Sequence, residues 1–414
     1  MARLQFHSVR RQSGAGIVET MVGILIGLLV VLVVYNMLAV AEGYKRTTAG
    51  VSDAQITGLL SQFMAGRDAG NGGNGISLAA PDLINCTRRG DNTQLRALPI
   101  TAPERAMRPT PVLITDGGAD NVSDSFISLH SGAPHVLWSI AFMVDAAANE
   151  DFTVQSPNGF STPAGVSLPT GAQPYWIVAM ANDGTGLCEL VQVTAATKPD
   201  AVSGNTTLTH TASAVSYNRD FAKMVILGRD GQANRLQYDV GKDQLRTTDL
   251  LNGAAPNPVA QNVVLLKAQY GIDLNNDSII DCWTAADNKN ACGDGKNYTD
   301  ISDPGNPPDA AKLFPTVDEL NRIIAVRVAM VVRSEQSDPR DPSLFVPANT
   351  TIEGANGVRQ DLYLFNCAAN DNTCTGRIKV PAGNNKTDVL QDGWRYRAYE
   401  TIIPIRNTIY NSTL

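Results

Sequence analysis

One carboxylate, Glu19, stands at the edge of an uncharged run from Met21 to Ala41. A carboxylate beside hydrocarbon costs kcal/mol unless it is paired, so it marks function by default. The bland alternative is an anion near a helix N-terminus, favoured there by the dipole. A second set of residues has the spacing of calcium ligands. Asp273, Asn275, Asp277, the Ile279 carbonyl and Asp281 fall at positions 1, 3, 5, 7 and 9 of an EF-hand-type loop. Ser278 stands where that loop has Gly and Thr284 where it has Glu, so a polar hairpin loop is the favoured reading. The third set is six cysteines: Cys86, Cys188, Cys282, Cys292, Cys367 and Cys374. An even number fits an oxidising compartment. Proximity suggests Cys282–Cys292 and Cys367–Cys374 as staples, leaving Cys86–Cys188 as a long-range tie. Zinc is the weaker use, since no C-x-x-C occurs and the histidines are remote.

Other chemistry is missing. There is no G-x-S-x-G, no H-E-x-x-H and no Cys/His dyad pattern, so no enzyme is expected. Gly70, Gly72 and Gly75 spell G-x-G-x-x-G, but a helix precedes them where a nucleotide fold needs a strand. The formal charge of −7 argues against a nucleic-acid binder. With 43% hydrophobic residues the chain can bury a core, and 414 residues suffice for an anchor plus a large domain.

The elements that position these residues follow from pattern. At 1.5 Å per residue, Met21–Ala41 spans the roughly 30 Å of a bilayer core. Arg3, Arg10 and Arg11 precede it, which predicts a cytoplasmic N-terminus and the remainder outside the inner membrane. A plain anchor fits this. A secreted precursor cut after Ala39-Val40-Ala41 fits less well, because signal cores are shorter. The helix continues to about Gly66 without proline, with Ile56, Leu59, Leu60 and Phe63 at helical spacing. Arg67–Gly75 then reads as a helix stop and linker. Beyond it, short strands alternate with turns, so an α+β fold is expected: a long N-terminal helix packed on a mainly antiparallel β ectodomain. Within Arg322–Val332, Val326, Val328, Met330 and Val332 share one face, with Arg327 and Arg333 opposite, as in a half-buried strand.

The stretch Arg10-Arg11-Gln12-Ser13-Gly14 followed by Ala15-Gly16-Ile17-Val18-Glu19 resembles the signal of type IV prepilins. The resemblance implies a leader, residues 1–14, cut between Gly14 and Ala15 by a prepilin peptidase, with N-methylation of Ala15. It makes Glu19 the fifth mature residue, which pairs with the freed amine of a neighbouring subunit and so offsets the burial of both charges. The first mature residue is small here, and Thr20 replaces the usual Leu. Further on, Ser123–Leu129, Gly186–Thr194, Val263–Asp273 with its Gln269-Tyr270-Gly271-x-Asp273, Ile324–Ser334 and Tyr396–Asn407 resemble PilW, a large minor pilin of type IV pili. Segments near 140–175 and 283–320 look like enlarged insertions.

That resemblance implies a cleaved leader (1–14), a pilin helix (15–66, transmembrane over 17–41) and a disulfide-stapled ectodomain (67–414). It implies partners among other minor pilins, the major pilin and a tip adhesin, with a location first in the bacterial inner membrane and then in the pilus. A type II secretion pseudopilin, which shares the N-terminal pattern, is the alternative; a membrane-anchored periplasmic enzyme is a third.

Overall fold

A computed structural model describes residues 16–75, 88–89, 111–131, 139–155, 175–183, 187–197, 199–211, 213, 215–229, 234–251, 255–285, 292, 322–335, 362–365, 378–380, 389–391 and 394–405. Gly14, Ala15, Cys86, Cys367 and Cys374 lie outside these residues.

The chain opens with one helix, α1 (Ile17–Gly70), of 54 residues. It is long and apolar enough to cross a membrane. Residues 16–53 and 54 onward form two compact units. In the first, apolar side chains from Ile17 to Val40 are exposed, as a segment dissolved in lipid requires. The helix runs past the expected stop at Arg67, because Asp68 and Ala69 are buried rather than free to unwind. It ends at Gly70 in a glycine turn. A Cβ on Gly72 would meet the Pro111 carbonyl oxygen at 2.6 Å, and Gly75 has φ +74°. Those glycines allow the turn to lie against a strand.

The strands, in order, are β1 (Arg88–Arg89), β2 (Val112–Thr115), β3 (Ser125–His130), β4 (Ile140–Ala141), β5 (Phe152–Gln155), β6 (Tyr175–Met180), β7 (Leu187–Ala196), β8 (Asn205–His210), β9 (Lys223–Arg229), β10 (Asn234–Gly241), β11 (Gln244–Asp249), β12 (Asn257–Gln261), β13 (Val263–Ile272), β14 (Cys282–Thr284), β15 (Ile323–Arg333), β16 (Leu362–Leu364), β17 (Ile378–Val380) and β18 (Tyr396–Pro404). The fold is α+β. Every described strand pair is antiparallel except β1 beside β7.

Two sheets, ordered β12-β11-β10-β3-β2 and β14-β13-β15-β18, form a frame. They share one core with the end of α1, in which Ala65, Ala69, Phe126, Tyr238, Val326 and Met330 are buried together. Val326, Val328, Met330 and Val332 do share a face of β15. The opposite face is buried too: Ala329 and Val331 pack with Leu362, Leu364 and Val380 of the β16–β17 hairpin. The strand is therefore covered on both sides, not half-buried. Arg327 is accommodated there at 7% exposure because its guanidinium lies between the Trp283 and Phe365 rings, 4.7 and 4.3 Å from their centroids. Gln269 Oε1 accepts its Nε at 2.7 Å. Burial lowers the Arg327 pKa to about 10.

Between β3 and β10 the chain builds a second body. β3 and β10 are themselves paired, with His130 opposite Asn234, so everything between them is inserted into one strand pair. Its sheet runs β4-β9-β6-β7-β8-β5. A bridge between Phe142 and Val154 and the Met143 N–H donated to the Thr153 carbonyl at 2.8 Å join the two outer strands. The sheet thus closes into a six-stranded antiparallel barrel, which leaves few open edges. Alternation sends Tyr175, Ile177 and Ala179 inward. Trp176, Val178 and Met180 point outward, where they pack with Leu129 of β3 and with Leu251.

Candidate functional site

The candidate site is the helix and its seat on the frame. Glu19 lies in the first turn of α1 among exposed Ile17, Val18 and Met21. Thr20 Oγ1 donates to the Ile17 carbonyl at 2.8 Å, which settles one polar group of that turn. Among the described residues Glu19 has no ion-pair partner.

Within the second unit, the helix turns its small residues to the sheet. Ala54, Gly58, Ser61, Ala65 and Ala69 are buried, spaced by three or four residues. This permits close approach, and at Gly58 any Cβ would overlap the Tyr399 ring. Tyr399 Oη donates to the Ala54 carbonyl at 3.1 Å, and Gln62 Nε2 donates to the Glu400 carbonyl at 2.7 Å. The large residues go the other way. Ile56, Leu59, Leu60 and Phe63 are 64%, 60%, 47% and 65% exposed. The apolar stripe visible in the sequence is therefore not the face that packs on the β domain; the seat is the small-residue face beside it.

A buried carboxylate anchors the end of this seat. Asp68 is 3% exposed and accepts from Tyr238 Oη at 2.6 Å and from Arg67 Nε at 2.7 Å. Its backbone carbonyl accepts the Ser128 hydroxyl. Burial, and then the bond to Asp68, push the Tyr238 hydroxyl up from its ordinary value, so it stays a donor. The glycine turn completes the join: Gly73 N–H donates to the Leu129 carbonyl at 2.8 Å and Ser131 N–H to the Asn74 carbonyl at 2.8 Å. Sequence reasoning missed Asp68, reading it as part of a linker. The signal was present as one acid at helical register with the small residues.

A second tie joins the two sheets of the frame. Lys267 Nζ on β13 donates to Asp124 Oδ1 at 2.7 Å, both side chains being almost fully buried. Gly117 N–H and Ala268 N–H also donate to that carboxylate, at 3.0 and 2.9 Å. Desolvation raises the Asp124 pKa, and Lys267 opposes this. The Gln-Tyr-Gly-x-Asp segment has structural work at each residue. Gln269 receives Arg327. The Tyr270 hydroxyl accepts the Ile114 N–H at 2.6 Å. Gly271 leaves room for the Trp283 ring, which a Cβ would meet at 2.9 Å. Asp273 closes the loop that follows.

In that loop the oxygens of the proposed calcium ligands accept backbone amides. Asp273 takes Asp277 N–H at 3.2 Å and Ser278 N–H at 2.7 Å. Asn275 takes Asp277 N–H, Asp277 takes Ile279 N–H, and Asp281 takes Leu274 N–H. Among the described residues no group of three or more His, Cys, Asp or Glu is arranged to hold a metal. Cys282 is bonded to Cys292, with Cα atoms 5.7 Å apart. Cys188 is also disulfide-bonded, and it lies in register with Arg89, three residues after Cys86.

Residues 237–407 match the family model of PilW, type IV pilus-assembly protein W. The match spans the frame strands from β10 to β18 and excludes the helix and the barrel. No curated protein and no solved structure matches the chain.

Proposed function

We propose that the chain is a PilW-like minor pilin of type IV pili, a reading supported by the match of residues 237–407 to that family's model. In this reading it is a structural subunit that helps to start pilus assembly in a tip complex with other minor pilins. A prepilin peptidase frees Ala15 at the cytoplasmic face of the inner membrane. The freed amine meets Glu19 of a neighbour, and the apolar helix is drawn out of the bilayer into the filament. The major pilin joins below, and a tip adhesin is the expected cargo above.

The observation that carries this is the exposed stripe Ile56-Leu59-Leu60-Phe63. A plain membrane anchor has no use for apolar side chains beyond the bilayer, where each costs about 1.5–3 kcal/mol of forgone burial. A helix that stacks against other helices needs them there. The test combines N-terminal sequencing with assembly. Mature protein should begin at methylated Ala15, and Phe63→Asp should insert and be processed but stay out of pili. A mature chain beginning at Met1, or normal incorporation of Phe63→Asp, would defeat the reading. Loss of the gene should abolish twitching; a defect in exoprotein release instead would assign the chain to type II secretion.

A further inference from the structure

One end of the barrel carries apolar side chains that the barrel itself does not bury. β4 and β9 pair Ala141 with Lys223, and one step further Phe142 N–H donates to the Ala222 carbonyl at 3.2 Å. Met143 and Phe221 come next along this ladder, so they stand side by side. Phe142 faces inward against the rings of Phe152 and Tyr217, and Met143 therefore faces outward. Met143, Val144 and Phe221 are 39%, 52% and 52% exposed. Single exposed apolar residues are ordinary, whereas a cluster points to an interaction site. The backbone beneath the cluster is pinned. Arg219 N–H donates to Asp145 Oδ1 and Asp220 N–H to Asn218 Oδ1, both at 2.9 Å. Phe221 and Ala222 N–H both donate to the Asn218 carbonyl, and Ala146 and Tyr217 exchange backbone bonds at 2.9 and 2.8 Å.

The rim stays acidic after its internal pairs are counted. It holds exposed Asp145, Glu150, Asp151 and Asp220 against Arg219 and Lys223. Arg219 is answered by Asp220 at 3.6 Å. Even with Lys223 set against a second acid, two carboxylates are left over. The His210 ring meets the carbonyl oxygens of Thr211 and Glu150, not a carboxylate.

We propose that this end of the barrel docks a second protein, through a segment in which an apolar side chain is flanked by lysine or arginine. Phe221 and Met143 supply the apolar anchor, and the surplus carboxylates select the cationic flank. A second copy of this chain is disfavoured, because the patch set against itself opposes like charges and the chain carries −7 overall. An anionic lipid or polysaccharide is repelled in the same way. The barrel lies outside residues 237–407, so the docking belongs to the inserted module and does not rest on the pilin assignment.

The test places a photo-reactive benzoylphenylalanine at Val144 of the full chain in cells that produce it. The cross-linked peptide is then identified by mass spectrometry. The expected product joins Val144 to a different protein, within a segment carrying Lys or Arg beside an apolar residue. Phe221→Ser should cut the yield about tenfold, the weight of one aromatic hot spot. Asp151→Lys combined with Asp220→Lys should cut it severalfold by reversing the rim, while Phe221→Leu and Asp220→Glu should leave most of it. These variants change exposed side chains and should melt within about 2 °C of the parent. Raising salt to about 0.5 M before irradiating isolated membranes should lower the parent's yield without any substitution. Cross-links confined to this chain or to a second copy, cross-links to an acidic segment, or no cross-link at all would overturn the proposal. So would yields indifferent to Phe221→Ser or to salt.

Discussion

The frame and the barrel are both antiparallel β, yet they solve burial differently. The frame is layered, with β15 covered on both faces, and it carries charge inside: Lys267 with Asp124, Asp68 with Tyr238, Arg327 between two rings. The barrel closes on itself around apolar and aromatic side chains. Phe142, Phe152 and Tyr217 meet pairwise with centroids 5.0–5.1 Å apart. Among the described residues its buried acid is Glu189, which accepts from Tyr217 Oη and Ser213 Oγ. The family match stops within the frame. The difference teaches that a closed module can be inserted in one strand pair, β3 and β10, without disturbing the register on which the frame depends.

That contrast breaks most sharply at Lys267. Removing the ammonium strands Asp124 in the interior, which costs about 3–5 kcal/mol for a buried pair. Lys267→Ala should therefore lose that much in denaturant unfolding and should disappear from pili. The double change Lys267→Met with Asp124→Leu removes both charges and should recover part of the loss, the remainder being the Gly117 and Ala268 N–H groups left without their acceptor. If the double variant is no better than the single, the frame is not held by a charge pair in the way the geometry indicates.

The barrel should fail differently. Phe152 is fully buried and touches Phe142, Tyr217 and the His210 ring. Phe152→Ala should cost about 3–5 kcal/mol by cavity formation. Because the insertion leaves β3 and β10 paired, that loss should show as an early separate transition. Amides of β13 and β15 should keep their hydrogen-exchange protection while those of β6 and β7 lose it. A single cooperative transition would mean that the Trp176–Leu129–Leu251 contact welds the two bodies into one.

How much of this could be read beforehand depends on what encodes it. β15 (Ile323–Arg333) lies within a residue of the strand expected over Arg322–Val332, and the short antiparallel strands expected after the glycine turn are there. Strands with weak apolar content escaped notice. β11, Gln-Leu-Arg-Thr-Thr-Asp, buries only Leu245 and is held by the Lys242-Asp243 turn, both residues at positive φ. Barrel closure was not legible, since it rests on one bridge between short outer strands. The stripe at Ile56–Phe63 was visible, but periodicity marks an apolar face without saying what covers it. Small residues had the claim on the sheet because only they let Tyr399 reach the helix backbone.

A subtler way to sharpen the comparison uses pH, since the join of helix, frame and barrel contains His130. Burial lowers its pKa from the ordinary 6.5, against the pull of Asp68. The unfolded chain therefore binds the proton first as pH falls. Stability is full above about pH 6.5 and declines below it, towards the depressed folded value. The parent should lose more stability than His130→Asn between pH 7.5 and 5.5, by about 1 kcal/mol or less. Equal losses would place the acid sensitivity in carboxylates instead.

The smallest effect is expected at the Asp273–Asp281 loop. The three aspartates and Asn275 already accept five hydrogen bonds from four backbone amides, and Asn276 and Ser278 adopt positive φ to allow it. The Cys282–Cys292 bond closes the chain just beyond. A loop satisfied in this way holds its shape without a cation. Adding calcium, or removing it with EDTA, should then move the melting temperature by no more than about 1 °C, well under what 1 kcal/mol produces. A rise of several degrees with calcium and not with magnesium would assign the loop to the metal. It would also give the frame a ligand-dependent element, and the frame transition, not the barrel transition, would be the one to shift.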